Sequence, residues 1–133
     1  MKIEQKLKKI ISKINLRDHK KTDSATVHYY IQITSRYGVK LFRRQRACEE
    51  CLFRQRAAHA MGFGPKALFT GIKNSYFYYV TEHAQRGVSR KDISKIRSSV
   101  NKMGWSTFDL YSDNVGVVRG KPVLIDFDNY TLI

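Results

Sequence analysis

Asp109-Leu110-Tyr111-Ser112-Asp113-Asn114, followed by Val123-Leu124-Ile125-Asp126-Phe127-Asp128, is the stretch that decides how this chain is read. Between the two runs, Val115 to Val118, a turn at Arg119-Gly120 and a strand over Val123 to Ile125 spell a hairpin. A polar loop therefore enters a hairpin, and an acid sits where its second strand ends. Upstream, Ser89 to Met103 reads as a helix. Ser89 and Asp92 make an N-terminal capping box, Ile93, Ile96, Val100 and Met103 form an apolar stripe, and Gly104 stops it. This order gathers the oxygen-bearing side chains of Asp109, Asn114 and Asp126 at one end of a small sheet. Carboxylate and amide oxygens are what a hard cation such as magnesium takes, with phosphates completing its shell. The plain alternative is that all three are capping or turn residues, since Asp and Asn favour such sites.

Working back toward the N-terminus, Tyr76 to Thr81 is apolar and aromatic on both faces, which predicts a central strand. A short strand near Ala67 to Phe69 and a Gly-Ile-Lys-Asn turn precede it. Residues 43–61 contain neither Gly nor Pro and are predicted helical, ended by Gly62, Gly64 and Pro65. Val27 to Thr34 and Tyr37 to Phe42 read as a tight hairpin whose second strand sets Lys40 between apolar neighbours. A polar loop over Asn15 to Ser24 separates it from a helix over 2–14. That helix carries Ile3, Leu7, Ile10, Ile11 and Ile14 as a stripe, with lysines opposite. The stripe suits packing on the helix's own domain; a basic helix lying on a membrane or nucleic acid is the alternative.

The chain has 133 residues, the length of one domain with one core, and its hydrophobic and charged fractions are those of an ordinary globular protein. The apolar run around Tyr76 to Val80 is too short to cross a bilayer, and charges interrupt the first residues, so a cytoplasmic protein is expected. Cys48 and Cys51 lie three apart on a helix with no second pair, which favours packing thiols over metal or redox chemistry. A net charge of +14 favours an anionic macromolecular partner, either an acidic protein face or nucleic acid.

Here the chain resembles the protein-kinase-like superfamily. That family's catalytic loop has an Asp followed five positions later by a metal-binding Asn, the spacing of Asp109 and Asn114. Leu124-Ile125-Asp126-Phe127-Asp128 is similar to the family's hairpin ending in Asp-Phe-Gly, except at the last position. The wording looks especially like small kinase-like proteins of phages and some bacterial effectors. The resemblance implies an α+β fold: a small antiparallel N-lobe sheet with one packed helix, then a minimal C-lobe of one helix, the catalytic loop and the hairpin. It implies a single domain with an N-terminal basic helix and loop over 1–24, an N-lobe-like part over 25–84 and a reduced C-lobe over 85–133. It implies ATP and magnesium, with Asp109 as catalytic base and Asn114 and Asp126 as metal ligands. Val39-Lys40-Leu41 resembles the strand whose lysine meets the nucleotide's phosphates. Glu49 is its implied helix partner, and the backbone at Glu82-His83-Ala84 would take adenine.

The departures point the other way. No glycine-rich loop precedes Lys40, because Ala25 to Tyr30 holds no glycine. Thr107 and Phe108 stand where the family has His and Arg, and Asp128 replaces the glycine after Asp126-Phe127. Three readings follow. One is a minimal kinase transferring a phosphoryl group to a protein or small-molecule hydroxyl. Another is a degenerate kinase-like protein that obstructs a host macromolecule through a basic surface. The last is a nucleic-acid binder using Arg43, Arg44, Arg46, Arg54 and Arg56. In either binding reading Arg43, Arg44 and Arg46, expected to open the 43–61 helix, are the contact residues.

Overall fold

A computed structural model describes residues 2–22, 24, 26–105 and 114–127. It divides into two compact units, one spanning 1–50 with 67–83 and the other 51–66 with 84–133. Asp109, Thr107, Phe108 and Asp128 lie outside the described residues.

The first unit is a four-stranded antiparallel sheet in the order β1-β2-β4-β3, built from β1 (Val27–Gln32), β2 (Tyr37–Phe42), β3 (Ala67–Lys73) and β4 (Tyr76–Glu82). β4 and β2 are interior, as the double-sided apolar character of β4 predicts. Alternation decides the faces. Tyr29 and Ile31 of β1, Val39 and Leu41 of β2, and Tyr78 and Val80 of β4 share one core. Helix α1 (Ile3–Ser12) covers that face with Leu7 at 1% exposure and Ile11 at 2%. The N-terminal stripe thus packs on its own domain, although Ile3 and Ile10 remain exposed. Leu16 is buried as well, in a short 3-10 turn whose Asn15 side chain accepts from the Arg17 N–H. The 15–24 loop is therefore less polar in its packing than its composition suggests.

Two predicted boundaries move for local reasons. β1 stops at Gln32 because Thr34 turns the chain, its hydroxyl accepting from the Arg36 and Tyr37 N–H groups. β3 runs through the Gly-Ile-Lys stretch that its glycine marks as a turn. The turn falls at Asn74-Ser75, both at positive φ (49° and 68°), the pattern of a two-residue hairpin. Gly71 serves packing instead: a Cβ there would collide with the Tyr78 ring.

The second unit holds α3 (Arg90–Lys102) and the hairpin of β5 (Val115–Val118) and β6 (Lys121–Leu124). The capping box forms as the sequence predicts, Ser89 Oγ accepting from the Asp92 N–H and the Asp92 carboxylate from the Ser89 N–H. Ile96 and Val100 enter a core with Ala58, Phe63, Trp105, Val115, Leu124 and Phe127, and Ile93 and Met103 pack on its edge. Arg119 and Gly120, at φ 50° and 77°, close the hairpin.

Helix α2 (Gln45–Ala60) runs from the first unit into the second. Cys48, Leu52 and Gln55 form its buried face, whereas His59, on the same side by helical spacing, is exposed. Gln55 donates to the Pro65 C=O at 3.0 Å, and His59 Nδ1–H donates to the Gly64 C=O at 3.0 Å, so α2 itself folds back the turn that follows it. Among the described residues no helix is long and apolar enough to cross a membrane.

Candidate functional site

Antiparallel register places Asn114 and Asp126. Val115 pairs with Leu124, and the Ile125 N–H donates to the Asn114 C=O at 2.9 Å, which extends the ladder one step past the strand ends. Asn114 and Asp126 therefore leave the hairpin at the same end, both half-buried. Three contacts hold that end in place. The Leu124 N–H donates to the Phe63 C=O at 2.8 Å, Phe127 is 1% exposed in the second unit's core, and Arg54 Nη1 donates to the Phe127 C=O at 2.9 Å. Asp126 is thus fixed between a paired residue before it and a buried ring after it. The hairpin is also tied to the segment after β4. Gln85 and Val117 exchange both backbone bonds, at 2.9 and 2.8 Å, and Gly116 lets Ala84 and the Gln85 carbonyl approach where a Cβ would not. No cluster of three or more His, Cys, Asp or Glu forms among the described residues. One amide and one carboxylate still suit a hard cation whose shell is finished by phosphate and water. Asp109, the third member of the predicted set, lies outside the described residues.

Lys40 belongs to the other unit. It lies on interior strand β2, opposite Tyr30 on one side and Tyr79 on the other, and is only 8% exposed, so it is not an edge-strand lysine. A lysine is this buried only when its ammonium is engaged. Its Nζ stands 5.7 Å from the centroid of the fully buried Tyr79 ring, an attraction that strengthens away from water. Gly38, Lys40 and Phe42 share the sheet face opposite the core that contains Val39 and Leu41.

Tyr30 crosses that face. Its phenol lies over Gly38, where any Cβ would collide with it, and its ring stacks on His83 with centroids 5.9 Å apart at 18°. The Tyr30 hydroxyl and His83 Nδ1 share a 2.6 Å hydrogen bond. The His83 N–H donates to the Arg36 C=O at 2.7 Å, and the Glu82 C=O accepts from the Thr81 hydroxyl at 3.0 Å. Both residues expected to offer backbone to adenine thus already have protein partners.

Glu49 is exposed on α2, and its carboxylate lies beside Cys48. Burial first and Glu49 second push the Cys48 thiol up to about 12, which leaves it protonated and inert. Cys51 is buried and is not in a disulfide. Arg43 and Arg44 do not open the helix. They precede it, and the Arg44 C=O accepts from the Cys48 N–H at its start. Arg46 alone lies in the first turn, fully exposed but paired to Glu50 at 3.1 Å. Arg54, grouped by composition with the surface cations, is half-buried and structural. Sequence reasoning missed its role and the Tyr30–His83 pair, because both depend on partners far away in the chain.

No family model matches this chain, and no curated protein matches it. It is similar to solved structures of WbdD. A high-resolution crystal structure of WbdD is 19% identical with a TM-score of 0.50, over 80% of this chain and 33% of that one. A structure described as the bifunctional kinase-methyltransferase WbdD is 19% identical with a TM-score of 0.49, over 74% and 29%. One of monomeric WbdD is 20% identical with a TM-score of 0.48, over 72% and 31%. This chain spans about a third of the length of the structures it matches. The likeness is one of fold. Taken with the mixed helices, the four-stranded antiparallel sheet and the terminal hairpin, it defines a small kinase-like α+β fold.

Proposed function

We propose that this chain is a minimal kinase-like domain that binds ATP with magnesium and passes the terminal phosphoryl group to a hydroxyl of a protein or small molecule. The observation that carries the reading is the common exit of Asn114 and Asp126 from the hairpin, fixed by the Ile125–Asn114 bond and the burial of Phe127. Magnesium, when bound, would neutralise charge on the phosphates and orient them. Asn114 and Asp126 are the residues to hold it. Lys40 is the residue to meet phosphate oxygens, with Glu49 as its helix-side acid and the Glu82–His83 edge next to adenine. Asp109 takes the acceptor's proton as its oxygen attacks phosphorus and ADP departs. Arg43, Arg44 and Arg46 would draw an anionic partner.

A second reading is favoured by specific observations. Tyr30 lies across Gly38, the His83 N–H is committed to Arg36, and no glycine lies between residues 25 and 30 to cover phosphates. In this reading the kinase-like frame is retained and its basic surface obstructs a host protein or nucleic-acid complex. Thermal melting separates the two. With magnesium and ATP at a hundred times the dissociation constant, binding adds about 2.7 kcal/mol and raises Tm, and Asp126→Asn removes the magnesium-dependent part. An unchanged Tm at millimolar nucleotide rejects the first reading.

A further inference from the structure

Helix α3 carries Arg90, Lys91, Lys95, Arg97 and Lys102 against a single acid, Asp92. Its inner side is fixed by Ile96 and Val100 in the core, with Ile93 and Met103 on the core's edge. At about 100° per residue the five cations all fall on the outward half, within roughly 100° of Ser94. Asp92 falls roughly 160° away from Ser94 and is occupied by the capping box, so no carboxylate of α3 shares the cationic face. Ser94, Arg97, Ser98, Asn101 and Lys102 line an open concavity of about 450 Å³ on that side. Every one of these lining residues is exposed, and every one can donate a hydrogen bond.

We propose that this face of α3 is a binding surface for the phosphate backbone of a nucleic acid, read without regard to sequence. At about 1.5 Å of rise per residue the cations span roughly 18 Å of the helix axis from Arg90 to Lys102, with gaps of up to about 7.5 Å, and the hydroxyl and amide groups between them are the other donors that phosphate contacts use. Charge complementarity selects an anion. The absence of any aromatic or aliphatic side chain among the lining residues selects the class of anion, because a protein interface needs apolar anchors at its centre and base recognition needs stacking platforms. Backbone contact needs neither. The surface is independent of the nucleotide reading, and it differs from the arginines that precede and begin α2.

The test uses the full chain and a fluorescent 30-base-pair duplex of mixed sequence, with binding measured between about 50 and 200 mM salt. The parent should bind with an affinity that falls steeply with salt, at a slope near −0.9 per phosphate contacted. Arg97→Gln with Lys102→Gln should shrink that slope by about 2. Ser94→Ala with Ser98→Ala should weaken binding at every salt concentration while leaving the slope unchanged. Lys6→Gln with Lys9→Gln on α1 removes the same charge elsewhere and should leave the slope near the parent's. All of these positions are exposed, and a shared melting temperature checks that each variant is folded. The proposal is overturned if the Arg97/Lys102 variant keeps the parent slope or if the α1 variant loses as much. Saturable binding to an acidic polypeptide, with none to the duplex, overturns it too.

Discussion

Removing the Phe127 ring should unfasten the end of the hairpin that presents Asp126. Phe127 is 1% exposed among Phe63, Trp105, Val115 and Leu124, and its substitution leaves the backbone carbonyl that Arg54 holds. A buried aromatic ring removes roughly 150–250 Å² from water, or about 4–6 kcal/mol at ~25 cal/mol per Å², an upper value for transfer. Measured truncations of buried Phe to Ala cost about 3–5 kcal/mol. Phe127→Ala should therefore destabilise the second unit by about 4 kcal/mol, and Phe127→Leu by less than about 1.5 kcal/mol. Trp105 is the chain's single tryptophan, 5% exposed and edge-on to Phe63 at 6.0 Å, so its fluorescence reports this core directly. In urea, with a slope of about 2 kcal/mol per molar, the midpoint for Phe127→Ala should fall by about 2 M at unchanged slope. A loss below about 1 kcal/mol would refute the reasoning, because Phe127 would then not anchor Asp126.

Three further outcomes follow from the same contacts. The Cys48 thiol, ordinarily near 9.0 and raised to about 12 in the fold, binds its proton more tightly when folded. Stability should thus decline as pH rises above about 9 toward 12, and a thiol reagent at pH 8 should label Cys48 only on unfolding. Burial, then Arg43, then Lys21 lower the His28 pKa below 6.5, so the unfolded chain binds the proton better. Stability should fall as pH drops below that value, and Arg43→Gln should soften the fall, as read by Tm against pH. Ser89→Ala removes the acceptor of the Asp92 N–H and should cost about 1 kcal/mol in urea titration, with Ser89→Asp close to the parent.

The elements most legible in the sequence were those whose signals are local. Ser89 and Asp92 announce a capping box, Ile93 to Met103 repeat at helical spacing, and Arg119-Gly120 supplies the left-handed pair that a two-residue hairpin needs. β4 declared itself interior by being apolar on both faces. Errors arose where a residue serves something distant. Gly71 looks like punctuation but makes room for Tyr78, so the turn falls on Asn74-Ser75, where Ser75 offers no glycine as a cue. Arg54 resembles its exposed neighbours until its partner, a carbonyl 73 residues away, is seen. Asn114 and Asp126 could be placed at one hairpin end from register alone, whereas the Tyr30 ring over Gly38 and its bond to His83 join residues 53 apart and leave no local trace.

The central claim is that Asn114 and Asp126 share one cation beneath a bound nucleotide. Manganese, which suits the same oxygen ligands as magnesium, relaxes nearby nuclei strongly and so locates itself. In a nitrogen-15 spectrum, the side-chain amide of Asn114 is assigned by its loss in Asn114→Asp. Substoichiometric manganese with ATP should broaden that resonance and the backbone amides of Asp126 and Phe127 before any others. The effect should require ATP and disappear in Asp126→Asn. If those resonances stay sharp while others broaden, or if nothing broadens at millimolar ATP, the account of the site is contradicted.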